Sequence, residues 1–454
     1  MRRSTYVVGS AVLALAVAAG VTYVVSDPAD LLPTPSPSAA AVPRPPILDP
    51  LATGSPASGA AVAAALRRSL RDTAFGGSLV GVVVDHATGR TVFARRADAA
   101  LPPASTVKLL TAMTVLDDLG PDDRLTTGVV RLGRTLYLVG GGDVTLTLGR
   151  EPGYPVTATL RRLAADTVDA VSSSLAGGPV RVRYDDTAWT GPEMAPGWNA
   201  GYFTAGDVSH LSPLEVDAGR VDHGEPPRVS DPPAQAATLF VHELERRGLD
   251  VRGRPAPAAA PSGGLGISAV SSPPLSVLVQ RMLTVSDNDL AESLGRLLAR
   301  REGFPASFAG EAAAVSARLA GLGVPTDRLR LRDASGLSHL DRVTPRTLAA
   351  VVRLAATGGA RLQGIVQGLP VAGLTGTLAD RYRRGPARAG AGVVRAKTGT
   401  LAGVNALAGQ VVDADGRLLD FAFLTDHAAL PSTAEAGLDR LAAALARCHC
   451  GARP

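Results

Sequence analysis

The sequence predicts an α+β (α/β) fold: an antiparallel sheet flanked by helices, with an inserted smaller domain partway along the chain. Three observations carry this. Apolar strand-like runs lie near both ends of the globular part, at Ser78 to Asp85 and at Leu418 to Leu424. Helix-like segments lie between and after them, so helices must cover the faces of a sheet built from both ends. Residues 128–270 carry strands and helices of their own, as a separate unit would. With 454 residues, 46% of them apolar and 19% charged, the chain has material for more than one buried core.

At the start, Arg2 and Arg3 precede an uncharged apolar run from Tyr6 to Val25. About twenty such residues suffice to cross a bilayer as a helix. The two arginines favour an inside N-terminus, which places the rest of the chain outside. Residues 1–26 therefore read as an N-terminal signal anchor, or as a signal peptide if cleaved, and both export the globular part. Residues 27–58 are rich in Pro, Ala and Ser and read as a semi-rigid linker.

The main domain is expected from 59–127 together with 271–447, the inserted domain from 128–270, and a C-terminal tail from 448–454. Ala61 to Ala74 has helical spacing, Ser78 to Asp85 and Thr91 to Ala94 read as a strand pair, and Ser105 opens a helix running to about Leu119. Val393 to Ala396, Asn405 to Val412 and Leu418 to Leu424 read as strands, with a last helix from about Ser432 to Arg447.

Charge excludes one class of partner. The net +5 comes from 46 basic and 41 acidic residues scattered without a lysine-rich or aromatic-interleaved block, so no nucleic-acid surface is implied. The only cysteines, Cys448 and Cys450, provide no disulfide framework. Their spacing reads as a free or mutually oxidised pair at a frayed terminus rather than a zinc site. Gly140 to Gly142 lacks the Gly-Lys-Ser/Thr of a phosphate loop and reads as a turn after a strand. The seven histidines are dispersed, and no metal or cofactor is implied by them.

Lysine is confined to Lys108 and Lys397, every other basic side chain being arginine. An arginine stays charged near neutral pH, whereas a lysine can be tuned to lose its proton. Both lysines fall in short strings with chemical content. In Ser105-Thr106-Val107-Lys108 a helix would place hydroxyl and amine on one face, where an uncharged amine could activate the serine. Ser286-Asp287-Asn288 contains one of only three asparagines and also fits a helix cap. Lys397-Thr398-Gly399-Thr400 follows Val393 and Val394 and fits either a turn or an edge strand open to an extended peptide.

In that order the three strings resemble the signature of penicillin-binding proteins and class A β-lactamases. The longer strings PASTVKLLTA (103–112), LYLVGGGDVTL (136–146), SDNDLAE (286–292), DASGLS (333–338), LPVAGLTGTLADR (369–381) and AKTGTLAGV (396–404) resemble peptidase family S13, the low-molecular-mass class C penicillin-binding proteins. The resemblance spans 59–446. It implies a β-lactamase/transpeptidase-like fold and a serine D-Ala-D-Ala carboxypeptidase or endopeptidase. Its substrates would be peptidoglycan stem peptides, and β-lactams would bind.

By the same resemblance Ser105 is the acylated nucleophile and Lys108 its base. Ser286 relays a proton to the leaving amine, Asn288 holds the substrate amide, and Lys397 supports the electrostatics. Thr398, Gly399 and Thr400 form the substrate-binding edge, the two threonines taking the terminal carboxylate. The backbone N–H groups of Ser105 and Thr400 form the oxyanion hole. Residues 211–219 (LSPLEVDAG) lack an asparagine-bearing string the family leads one to expect, and Ala334 stands where glycine is usual.

Two rival functions remain in view. A class A β-lactamase needs Glu-x-x-Asn, yet Pro196, Val285 and Ala402 stand three residues before Asn199, Asn288 and Asn405. A catalytically inactive module holding wall peptides would usually have lost the nucleophile or the base, and both are present.

Overall fold

The computed structural model describes residues 56–451 apart from 77, 150–154, 173, 176, 222–226 and 429. The expected anchor, all but the last three residues of the linker, and residues 452–454 of the tail lie outside the described residues. Among the described residues, no helix is long and apolar enough to cross a membrane.

In chain order the elements begin with α1 (Gly59–Leu66), β1 (Val80–Asp85), β2 (Thr91–Arg95) and α2 (Lys108–Asp118). Next come β3 (Thr126–Leu132), β4 (Thr135–Val139), α3 (Leu160–Val171), β5 (Arg181–Asp185), α4 (Pro232–Glu245), β6 (Ala256–Pro257) and β7 (Leu265–Ser271). The chain continues with α5 (Leu275–Val285), α6 (Asn288–Arg301), α7 (Phe308–Gly321) and α8 (Pro345–Thr357). It ends with β8 (Val394–Leu401), β9 (Val404–Val412), β10 (Leu418–Thr425) and α9 (Pro431–Ala446).

The main sheet has the order β2-β1-β10-β9-β8 and is antiparallel throughout. Its strands come from both ends of the chain, with β1 paired along its length to β10. β9 and β10 are buried almost end to end. Helices cover both faces, so their sequences run apolar instead of alternating. On one face Leu407, Val411 and Phe421 meet Leu438, Leu441 and Leu445 of α9. On the other, Ala406, Ala408 and Ala422 meet a core built on α2 and α8. Small residues there let the helices approach the sheet closely. Helix α2 is buried from Lys108 to Leu116 and is the central pillar of that core.

A second sheet, β6-β5-β4-β3-β7, is formed between α2 and α5. It is mixed: β3 is antiparallel to β4 and β7, while β4–β5 and β5–β6 are parallel. Leu160 and Leu163 of α3, with Phe240 and Leu244 of α4, pack on it as a separate core.

Four local readings need correction. The helix expected over Ala61–Ala74 stops at Leu66, and two single 3₁₀ turns follow at Ser69–Arg71 and Thr73–Phe75. Asp72 caps the second of these turns through Ala74 N. Ser105 lies in a 3₁₀ turn, Ala104–Val107, and the α-helix proper begins at Lys108. The strand expected to end at Ala396 runs on to Leu401, so the Lys397–Thr400 string lies within β8, the edge strand, and not in a turn. The tail is not frayed at 448–451: Cys448 and Cys450 form a disulfide, both are buried, and Gly451 bridges to Ala57.

Candidate active site

The site begins with a tight turn. Ala104 has a positive φ of 47°, which swings the chain so that Ser105 stands half-exposed at the N-terminal end of α2. Two glycines make room for that turn. At Gly336, whose φ is +83°, a side chain would strike the Ala104 carbonyl oxygen. At Gly399 of β8 it would lie 2.6 Å from the Pro103 oxygen and 3.2 Å from Ser105 N. The Gly399 backbone therefore runs against the Ser105 backbone, and residues nearly 300 apart in sequence become neighbours.

One helical turn on, Lys108 is fully buried. Its Nζ lies 3.0 Å from Ser105 Oγ, 2.6 Å from Asn288 Oδ1 and 2.7 Å from the Ser335 carbonyl oxygen. An ammonium has three protons for these three acceptors. An uncharged amine has two, enough for Asn288 and Ser335, and leaves its lone pair for the Ser105 hydroxyl. Burial pushes the Lys108 pKa down to about 8, while the charges of Asp333 and Glu292 oppose the shift.

The second string joins two helices. Ser286 ends α5 in the left-handed region, at φ 60° and ψ 41°. A glycine usually takes such a helix-ending position, so the serine here is a local strain held by its surroundings. Asp287 caps α6, its carboxylate accepting from Leu290 N at 3.1 Å. The string therefore both caps a helix and faces the site. Asn288 also donates through Nδ2 to the Asp207 carbonyl at 2.8 Å, linking the site to the 126–271 part of the chain.

The third string lies on β8, the edge of the main sheet. Lys397 is fully buried and its Nζ donates to Ser286 Oγ at 2.9 Å and to its neighbour's carbonyl, Thr398 O, at 2.9 Å. Burial, with the nearby charges of Lys108 and Arg381, holds its pKa well below the ordinary lysine value. Thr398 Oγ1 shares a 2.8 Å hydrogen bond with Thr377 Oγ1. Thr400 is exposed, and its Oγ1 donates to Glu435 Oε1 at 2.7 Å. Ser105, Lys108 and Asn288 are joined by hydrogen bonds, as are Ser286 and Lys397, and Ser286 is two residues from Asn288. The cluster opens to solvent where the two serines and Asn288 are half-exposed.

Several supporting residues carry no clear sequence signal. Glu292 accepts from Ala334 N at 3.2 Å and Ser335 N at 2.9 Å, and so aims the Ser335 carbonyl at Lys108. Asp333 closes the same loop by accepting from Gly336 N at 2.7 Å, Ser338 N at 2.8 Å and Trp198 Nε1 at 2.6 Å. Burial, then the charge of Glu292, raises Asp333 to about 6. Thr111, one turn beyond Lys108 on α2, donates to the Ala334 carbonyl at 2.7 Å. Glu292 and Asp333 sit inside two of the family-like strings, SDNDLAE and DASGLS, but a single sequence does not say which carbonyl they position. Thr377 likewise sits inside the family-like string LPVAGLTGTLADR, whereas Asp207 and Glu435 have no distinguishing pattern at all. His339 only follows the loop, its N donating to Gly197 O at 3.5 Å.

Known proteins resemble this chain over most of its length. The model of the D-Ala-D-Ala carboxypeptidase 3 (S13) family matches residues 62–225 and 223–445. The chain is 38% identical over 468 residues to carboxypeptidase DacB of Mycolicibacterium smegmatis, covering 99% of each chain. It is 29% identical to a D-alanyl-D-alanine carboxypeptidase of Actinomadura sp., over 77% of this chain and 78% of that one. Among solved structures, penicillin-binding protein 4 of Haemophilus influenzae shares the fold with a TM-score of 0.68 at 19% identity, over 84% of this chain and 97% of that one. Matched by the family model from the first helix to the last, the chain belongs to the D-Ala-D-Ala carboxypeptidase 3 (S13) family.

Proposed function

We propose that this D-Ala-D-Ala carboxypeptidase works through an ester formed on Ser105. Uncharged Lys108 takes the Ser105 proton as Oγ attacks the carbonyl between the two D-alanines of a stem peptide. The backbone N–H groups of Ser105 and Thr400 hold the developing oxyanion, a contribution worth about 100-fold or more per donor. Ser286, bonded to Lys397, passes a proton to the departing amine, and the C–N bond breaks. Water then adds to the ester, the proton returns to Ser105, and the shortened peptide leaves. Asn288 holds the substrate amide, and Thr398 with Thr400 takes the terminal carboxylate. A β-lactam would react at the same serine, but its amine stays tethered after ring opening and the ester persists.

The observation that supports this most directly is the buried amine 3.0 Å from a half-exposed serine hydroxyl. Labelling with a fluorescent penicillin and mapping of the modified peptide tests it. The label is expected on Ser105, and Lys108→Arg should lower the labelling rate about 100-fold or more, the usual value of a positioned base. A Lys108→Arg protein that remains folded and labels at the wild-type rate would overturn the assigned base. Rapid turnover of the penicillin would instead indicate a β-lactamase. A Ser105→Ala protein that keeps full cellular function would indicate a wall-binding module.

The reaction is placed outside the cytoplasmic membrane, where stem peptides are found, with residues 6–25 as the tether. Digestion of cross-linked and uncross-linked muropeptides separates endopeptidase from carboxypeptidase action.

A further inference from the structure

Beyond the Thr400 edge the surface turns basic, in a place the reaction above does not use. The segment 380–387 runs alongside α9 and leaves a cleft of about 450 Å³, lined by Asp380, Arg383, Arg384, Ala436, Asp439 and Arg440. Arg440 follows Glu435 by five residues, about 7.5 Å along the helix axis. Glu435 in turn accepts from Thr400 Oγ1 at 2.7 Å. The cleft therefore begins beside the end of the site from which the leaving group departs.

Its charge is unbalanced. Across the segments 67–72, 380–387 and 435–440, seven arginines stand against four carboxylates. Asp380 is paired with Arg383 at 2.7 Å, Asp439 with Arg381 at 2.7 Å, and Asp72 with Arg440. The fourth carboxylate, Glu435, holds the Thr400 hydroxyl, and Arg381 also donates to the Glu435 backbone oxygen at 3.3 Å. Arg384, Arg67, Arg68 and Arg71 are exposed and meet no carboxylate among the described residues. Ser69 donates to the Arg440 carbonyl at 3.5 Å, so the segment carrying Arg67, Arg68 and Arg71 also packs on α9 at Arg440. Guanidinium groups bind carboxylates through paired N–H donors, and like charges around a cleft add their fields. None of the exposed large apolar side chains belongs to these segments, so the face carries nothing to insert into a bilayer.

We propose that this cleft is a binding site for free carboxylates of a second stem peptide, the one cross-linked to the stem being cut. The inference rests on the Ser105 reaction proposed above. In a cross-linked substrate the departing amine belongs to a whole peptide rather than to one D-alanine. That peptide leaves past Thr400 toward α9, and its carboxylates come within reach of Arg383 and Arg384. A single D-alanine ends at Thr400 and does not meet them.

The test compares a cross-linked muropeptide dimer with a monomer ending in D-Ala-D-Ala, as the ratio of their kcat/KM. The double variant Arg383→Gln, Arg384→Gln should lower the dimer-to-monomer ratio about fivefold, the size of two partly exposed ion pairs. The loss should lie in the KM of the dimer, and acylation of Ser105 by penicillin should not change. Raising salt from about 0.05 to about 0.5 M should shrink the wild-type ratio and leave that of the variant nearly constant. A dimer with its carboxyl groups amidated should not distinguish the two proteins. An unchanged ratio, an equal loss on dimer and monomer, or the same loss on the amidated dimer would overturn the inference. So would a variant that keeps the ratio but no longer binds phosphatidylglycerol vesicles, which would assign the face to lipid. If the wild type cuts the monomer but not the dimer, there is no second stem to hold and this inference alone fails. If it cuts neither, although penicillin still labels Ser105, the carboxypeptidase reading fails first and this inference with it.

Discussion

An amine that acts as the base proposed above must spend part of its time without a proton. For Lys108 the protein arranges this chiefly by removing water, which lowers its pKa to about 8, while Asp333 and Glu292 set a limit on the fall. With the folded pKa lowered, the uncharged form grows as pH rises through about 8. Acylation by a penicillin, followed by stopped flow, should accelerate tenfold per pH unit well below that value and level off above it. A rate flat from pH 6 to 9 would mean that another group takes the Ser105 proton. Lys108 was legible from the sequence because the chain uses lysine at only two places. Glu292 and Asp333 were not, because their work is to position a loop carbonyl, and acidic residues that do this look like any others in a sequence.

The strand β8 and the turn before α2 meet at the scale of elements. Their close approach requires Gly399 on one side and Gly336 on the other, both packed against the backbone of residues 103–105. Gly336→Ala should distort that turn. The left-handed φ alone costs roughly 1 to 3 kcal/mol for a non-glycine residue, and the added methyl must also displace the Ala104 carbonyl. The expected result is a slower acylation rate together with a lower urea midpoint. A midpoint shift with acylation untouched would show that the turn does not position Ser105. Strand positions in this region were readable from apolar runs near 394, 404 and 418. Two features were not. The 3₁₀ start of α2 depends on the left-handed Ala104, which no propensity predicts, and the breaking of the run after Leu66 into two 3₁₀ turns leaves no periodicity to read.

Across the whole molecule, the part of the chain between α2 and α5 reaches back to the candidate site through a buried ion pair. Arg228 Nη2 lies 3.0 Å from Asp289 Oδ2, with both side chains nearly inaccessible, and Asp289 also accepts from Ser209 N at 2.6 Å. Asp289 directly follows the Asn288 that meets Lys108. Nearby Glu215 is pushed up to about 8 by burial and then by the charge of Asp289. Arg228→Met should leave Asp289 buried without its partner and cost about 3 to 5 kcal/mol in chemical denaturation. A loss under about 1 kcal/mol, the value of an exposed pair, would show that water reaches the site. The second sheet was foreseen only as a unit with its own strands and helices. Its parallel β4–β5 and β5–β6 pairings join segments far apart in the sequence, and such register leaves no local pattern to read.

The tail adds one more consequence. Gly451 bridges to Ala57, and Ser58 N donates to Cys450 O at 2.6 Å, so the first and last described residues leave the globular body side by side. A short peptide joining them would close the polypeptide into a ring without moving the catalytic groove, and the chain could be reopened at an exposed loop elsewhere. The order in which the three site strings are translated would then change, while their meeting in space would not.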